Sequence, residues 1–327
     1  MKRALLLSAA AAAVLISGCS SQKTYLSLGF DKQDMVYNFV SQRDITLTLE
    51  GSKSGKKQNA SEKLNMQIAY KPVEVDELGS TVLEAECRDI SVQRSSFTGK
   101  KRSSDPLEVL EGEKWKIKIN SAGEIEDYSG LQEALAKAGK QAIKESGKRR
   151  IKDPDMILDF AASQWTLWNA VASANKKSFG ISPGQEWESV LMVPFAVGIP
   201  AERIVTYSLP PEIQPEDESR MIIKSSYELS TYKEAEDGKL KFTPSIEPRP
   251  KPYEGSFQTK GMFGFLRNYK PLSLEGEGKT VYDQLEGVLI SETQEYDMVM
   301  EAGFMIPLGD SVPKLDVHQK ITVELAE

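Results

Sequence analysis

Few side chains in this 327-residue chain are equipped for chemistry, and they are scattered. Its thiols are Cys19 and Cys87, and its single imidazole is His318. One histidine rules out most zinc sites, which draw on several imidazoles and thiolates, and most Ser-His-Asp triads. His318 falls in the run Leu315 to Leu325, where odd positions are almost all apolar and even ones polar. It is therefore expected on the wet face of a strand. Gly51-Ser52-Lys53-Ser54-Gly55 puts lysine where a nucleophile elbow needs serine. Ser54 and Lys57 match a serine-x-x-lysine spacing that arises by chance in so lysine- and serine-rich a chain. Gly278-Lys279-Thr280 has the end of a phosphate-binding loop, but Ser273 stands where that loop needs glycine and the following residues read as strand. Of the paired carboxylates, Asp153 and Asp155 are explained by a helix start, and Glu216-Asp217-Glu218 sits in a solvated acidic loop. No catalytic residue, cofactor or metal ligand is predicted. Carboxylate-only chemistry would have to place at least two carboxylates, for example among Asp153, Asp155, Asp159 and Glu216, around one concave site.

Cys19 is different, because its surroundings supply a purpose. Lys2 and Arg3 precede an almost unbroken apolar run from Ala4 to Ile16, the plan of a secretory signal. Thirteen residues of helix reach only about 20 Å, short of a bilayer core of about 30 Å. This is not a membrane span. The run ends in Leu15-Ile16-Ser17-Gly18-Cys19, where small Ser17 and Gly18 leave room for a peptidase and the Cys19 thiol is a nucleophile. The pattern resembles the lipobox of bacterial lipoproteins. That resemblance implies cleavage between Gly18 and Cys19, with diacylglycerol on the sulfur and a further acyl chain, such as palmitate, on the amine. Two or more chains make a stable anchor at about 0.8 kcal/mol per buried methylene. Ser20, where aspartate would stand in an inner-membrane retention signal, resembles the pattern sent on to the outer membrane, facing the periplasm.

Removal of residues 1–18 would leave roughly 300 residues, enough for one large or two ordinary domains. The chain carries 48 acidic against 41 basic residues, a net charge of −7. Nucleic acid, which demands clustered positive charge, is excluded as a partner. With Cys19 acylated, Cys87 has no thiol to pair with, so stability must come from packing.

Five stretches are expected: a signal over residues 1–18, a lipidated tether over 19–24, a strand-rich region over 25–128, a helical segment over 129–176, and a second strand-rich region over 183–327. Period-two alternation runs from Met35 through Leu49, with a bend expected around Ser41 to Arg43. Gly51 to Asn59 reads as a loop, Leu64 to Tyr70 as a strand closed by Pro72, and Leu83 to Cys87 as a strand pointing Cys87 inward. Ser95 to Asp105 reads as a polar loop, and Trp115 to Ile119 as a strand turning at Ser121-Ala122-Gly123. Leu131, Leu135, Ala138 and Ala142 then fall at helical spacing up to Gly147, with basic Lys148-Arg149-Arg150 as connector. A second helix opens at Asp153-Pro154 and presents Ile157, Phe160, Ala161, Gln164, Trp168 and Val171 as one apolar face. Beyond Pro183-Gly184, strands are expected at 187–193, 204–209, 223–231, 280–285, 288–300 and up to 325. Asp237-Gly238 marks a tight turn, Glu247 to Pro252 an extended crossing or an edge, and Gly261 to Leu266 an apolar segment that reads first as a buried loop or strand and otherwise as one able to enter lipid or hold a partner.

The lipobox, the Trp115 to Ile125 strand and turn, Pro183-Gly184-Gln185-Glu186-Trp187, and Gly276-Glu277-Gly278-Lys279-Thr280-Val281-Tyr282-Asp283 together resemble a family of uncharacterised bacterial lipoproteins, a domain family of unknown function. The family brings no functional residues to carry over. The patterning predicts an α+β protein, mainly antiparallel β-sheet, with a central helical pair between two strand-rich halves. The halves form either two sheets or one curved, half-barrel-like sheet. Three functions follow: a lipid-anchored envelope protein with a structural or protein-interaction role; a binding module or carrier for lipid or another apolar ligand; and, disfavoured, an enzyme.

Overall fold

The computed structural model describes residues 23–30, 34–49, 57–101, 105–145, 155–177, 180–193, 201–215, 219–230, 233–234, 240–241, 267–304 and 313–326. Alternation of inward apolar and outward polar side chains makes its strands. These are β1 (Met35–Leu49), β2 (Lys57–Val75), β3 (Thr81–Ser95), β4 (Lys114–Ile119), β5 (Ile125–Asp127), β6 (Glu186–Val193), β7 (Ala201–Ser208), β8 (Arg220–Leu229), β9 (Lys233–Glu234), β10 (Leu240–Lys241), β11 (Arg267–Asp283), β12 (Val288–Phe304) and β13 (Pro313–Leu325). The helices are α1 (Ser129–Glu145) and α2 (Asp155–Lys177).

Eleven of the strands form one antiparallel sheet, ordered β5-β4-β3-β2-β1-β13-β12-β11-β8-β7-β6. The first and last long strands meet at its centre, from Tyr37 opposite Leu325 to Leu49 opposite Pro313. This pairing joins the two strand-rich regions into a single sheet. β9 and β10 form a separate pair flanking the Asp237-Gly238 turn, which lies outside the described residues. The fold is thus a strand-rich α+β arrangement. The two helices succeed each other in the chain but occupy different settings: α1 packs against β4 and a short 3-10 turn at Pro106–Leu110, whereas α2 lies against the buried face of the sheet.

Contacts of α2 show that the sheet curls around it. Trp168 meets the Tyr70 ring of β2 at 5.8 Å, while the adjacent Asn169 donates to the Tyr207 hydroxyl of β7. β2 and β7 are six places apart in the strand order. In a flat sheet that separation would be about 29 Å at roughly 4.8 Å per strand. Consecutive helix residues can touch both strands only if the sheet bends around the helix.

The enclosure changes how α2 reads. Instead of one apolar face, the helix is buried on every side from Asp159 to Ala174, with only Ala162 and Thr166 half-buried. Small residues allow the close approach, and its buried polar groups find partners: Gln164 accepts from Tyr70 at 2.8 Å and Ser173 from the Trp187 indole at 3.1 Å.

Two other expectations give way. β2 does not stop at Pro72 but runs to Val75, absorbing the missing N–H at a bulge between Pro72 and Glu74. β1 does not break at Ser41 to Arg43; it continues unbroken, and both residues point inward. The turn at Ser121-Ala122-Gly123 is as expected, held by the Asn120 carboxamide.

Candidate functional site: a buried ionic belt

Along the long strands the inward positions are apolar except in one band. There the sheet's buried face carries Ser41 and Arg43 of β1, Glu62 of β2, Arg94 of β3, Gln319 of β13, Glu292 and Gln294 of β12, and Arg203 of β7. Each is held by strand register on neighbours of like parity, and α2 adds Asp159 from above.

Arg43 is the centre of the first half. Its Nη2 donates to both Asp159 oxygens at 2.7 Å, Nη1 to Glu62 Oε2 at 2.9 Å, and Nε to Gln319 Oε1 at 2.7 Å. Ser41 Oγ donates to Asp159 at 3.1 Å and itself accepts from Gln319 at 2.7 Å. Glu62 is shared with Arg94, whose Nε donates to Oε1 at 2.9 Å. Arg94 also lies 3.5 Å from Asp105, the residue that caps the 3-10 turn. Burial works against the charge on Arg43, yet Asp159 and then Glu62 hold its guanidinium above its ordinary value. Burial pushes the Asp159 carboxyl up, with Arg43 and Ser41 pulling the other way.

The second half is built on Arg203. Its Nη2 donates to Gln294 Oε1 at 2.6 Å, and Gln294 in turn donates to Glu292. The guanidinium lies 4.3 Å from the centre of the Tyr227 ring and 4.9 Å from that of Tyr296, a double cation–π arrangement. Tyr296 lies between the halves: it stands opposite Gln319 in register, and burial pushes its hydroxyl up, with Arg203 and then Arg43 pulling the other way. Burial pushes the Glu292 carboxyl up to about 7, opposed by Gln294 and Arg203. With Glu292 protonated, Arg43, Arg94 and Arg203 are balanced by Glu62, Asp105 and Asp159.

Every charged group of the belt is enclosed, so what the arrangement does is hold charge and geometry together. Arg43 alone ties β1 to β2, β13 and α2.

Asp159 is thus the one suggested carboxylate whose side chain is placed, and it serves Arg43. Asp153 and Glu216 lie outside the described residues, as do Gly18, Cys19, Ser54, Lys148 to Arg150 and Gly261 to Leu266. Cys87 faces the core, as the parity of its strand predicts, and burial pushes its thiol up to about 12. His318 is on the outer face, its Nδ1 2.9 Å from Asp297. Gly278-Lys279-Thr280 lies within β11.

The belt was missed, but its signal was present: inward-parity polar residues such as Arg43 and Gln319 interrupt otherwise apolar rows. The Asp105-Pro106-x-Glu108 capping box was a second legible signal. Outside the belt, a groove of about 610 Å³ runs between β4 and α1, lined by Lys114, Lys116 and Lys118 against Asp127 and Glu133.

No family model matches the chain, and no curated protein matches it. Among solved structures it is similar to lipovitellin, in a structure described as lipid–protein interactions in lipovitellin, at 10% identity and a TM-score of 0.40, over 91% of this chain and 25% of that one. The chain thus spans a quarter of the lipovitellin chain. It is similar also to OpdQ of Pseudomonas aeruginosa at 9% identity and a TM-score of 0.19, over 90% of this chain and 99% of that one. Neither likeness is close enough to carry an argument.

Proposed function

We propose that this chain is a lipoprotein of the bacterial envelope, acylated on Cys19, held on the outer membrane facing the periplasm, and serving a structural or protein-interaction role without catalysis of its own. The observation that carries the reading is the sequence Leu15-Ile16-Ser17-Gly18-Cys19 at the end of a short apolar run behind Lys2 and Arg3. The geometry is compatible with a rigid body on a short tether. Thr24 bridges to Ile181, and Gly29 N donates to the Gly287 carbonyl at 2.9 Å, so the folded part begins within a few residues of Cys19. The test is Cys19→Ser expressed beside the wild type. The wild type is expected to carry acyl mass on Cys19 and to partition into detergent; a Cys19→Ser protein that partitions identically would sink the reading.

A second reading, carriage of lipid or another apolar ligand, draws support from the curl of the sheet around α2: displacement of that helix would open a concave face that is apolar on either side of the ionic belt. Native mass spectrometry with lipid extraction, on the soluble form beginning at Ser20, separates the two. A stoichiometric lipid favours carriage, and a clean apo mass favours the structural role.

A further inference from the structure

The strands define two ends of the sheet. Register places the start of β1 beside the end of β2, the end of β13 beside the start of β1, and the end of β11 beside the start of β12. One end therefore collects the β2–β3 turn, the β4–β5 turn and the β11–β12 turn, together with the segment 23–30. That segment is pinned there by Gly29 on Gly287 and by the Tyr282 hydroxyl donating to the Ser27 carbonyl.

The same end gathers exposed apolar side chains. Leu78 at the β2–β3 turn is 86% exposed and Leu285 at the β11–β12 turn 83%; Val73 and Val75, just before Leu78, and Tyr25 of the segment 23–30 are exposed too. Among the described residues, one other large apolar side chain is comparably exposed: Leu272, on the half of β11 toward the opposite end. Turn tips ordinarily carry polar residues, and nothing in the fold requires leucine at either tip. Both turns are held without them: Asp76 accepts from the Leu78 and Ser80 amides, and Asp283 from those of Leu285 and Glu286.

We infer that this end is the membrane-facing surface of the protein, with Leu78 and Leu285 entering the interfacial zone of a phospholipid leaflet. The inference rests on acylation of Cys19 and deepens it. Three residues separate Cys19 from Lys23, and the four residue steps reach at most about 14 Å when fully extended, so the anchored chain holds this end close to the lipid. Glu74, Asp76 and Glu77 surround Leu78, and Glu286 follows Leu285. Acidic neighbours disfavour an anionic surface, so the leaflet it fits is zwitterionic.

The acylated full-length protein, carrying Cys87→Ala and a single new cysteine labelled with an environment-sensitive fluorophore, is placed in phosphatidylcholine vesicles. Labels at Leu78→Cys and Leu285→Cys are expected to shift to the blue, to brighten roughly twofold or more, and to be quenched by lipid-borne quenchers, as for side chains in the headgroup and acyl boundary. A label at Leu272→Cys is expected to behave as in water. Water-like emission at all three sites, with mass spectrometry showing acylated Cys19, overturns the orientation and leaves the anchor standing. An unacylated Cys19 overturns both. Shielding of sites 78 and 285 in cell envelopes but not in vesicles overturns the lipid assignment in favour of a protein partner.

Discussion

Arg43 of β1 donates to both carboxylate oxygens of Asp159 of α2, each at 2.7 Å, with both side chains about 1% exposed. A buried charge that loses its partner keeps its desolvation cost without the attraction that offset it, typically about 3–5 kcal/mol. Asp159→Asn and Arg43→Met are each expected to destabilise the fold by about that much, read as a fall in the urea midpoint at unchanged slope. The double variant Arg43→Met with Asp159→Leu is expected to recover a large share, because neither charge then remains. Equal losses in the single and double variants would show that the pair does not act as a unit.

Glu292 sets a pH dependence whose sign follows from its burial. Its carboxyl is pushed up from 4.5 to about 7 in the fold, so the folded state holds a proton that the unfolded chain releases. The associated stability is full below about pH 4.5 and is lost as pH rises through 7, on the order of 3 kcal/mol in all. The wild type is therefore expected to unfold at lower urea at pH 8 than at pH 5.5. Glu292→Gln, which keeps the hydrogen bond to Gln294 possible and removes the titration, is expected to flatten that difference.

Most strands were legible because their inward positions repeat every second residue, and so was the end-to-end order of strands and helices. What remained hidden follows from three physical causes. Pairing of β1 with β13 is set by contacts between residues nearly 300 positions apart, which no local pattern encodes. The burial of α2 on all sides was masked because Ser163, Asn169 and Ser173 look solvent-facing until their surroundings in the fold are known. The ionic belt was hidden for a related reason: at Ser41 and Arg43 the polar side chains suggested a bend, whereas the strand keeps its register with both neighbours and takes the charge inside. Gln319 carries the same sign, as the one polar residue in its odd-numbered row, between Val317 and Ile321. The lipid anchor at Cys19 rests on sequence alone.

Cys87 should be inert while the protein is folded. It is fully buried, its thiol is pushed up to about 12 from an ordinary 9, and its Sγ donates to the Asp89 carbonyl at 3.6 Å. Reactivity requires thiolate, so modification in the native state is expected to be at least about a thousandfold slower than in denaturant. In the soluble form beginning at Ser20 it is the sole thiol, and titration with a chromogenic disulfide gives the answer directly. Rapid reaction in the native protein would mean that β3 opens readily.

Just past its midpoint β11 loses the apolar alternation of its neighbours, and Gly276 and Gly278 explain why. Both occupy inward positions, where a neighbour's side chain lies over the β11 backbone in place of a side chain of its own. A Cβ on residue 278 would come within 2.1 Å of the Tyr227 hydroxyl and 2.8 Å of the Thr293 carbonyl; one on residue 276 would meet the Glu295 carbonyl at 2.3 Å. Gly278→Ala must therefore displace the Tyr227 ring that covers Arg203, and with it the cation–π contact at 4.3 Å. The expected cost is about 1–3 kcal/mol of overpacking, or more if Arg203 is disturbed. Tyr227→Phe removes the nearest clashing atom and keeps the aromatic face. Combined with Gly278→Ala it is expected to cost less than the sum of the two single changes, a coupling measurable in a double-mutant cycle by urea unfolding. Simple additivity would mean that the backbone, through Thr293, and not the tyrosine, is what excludes a side chain at position 278.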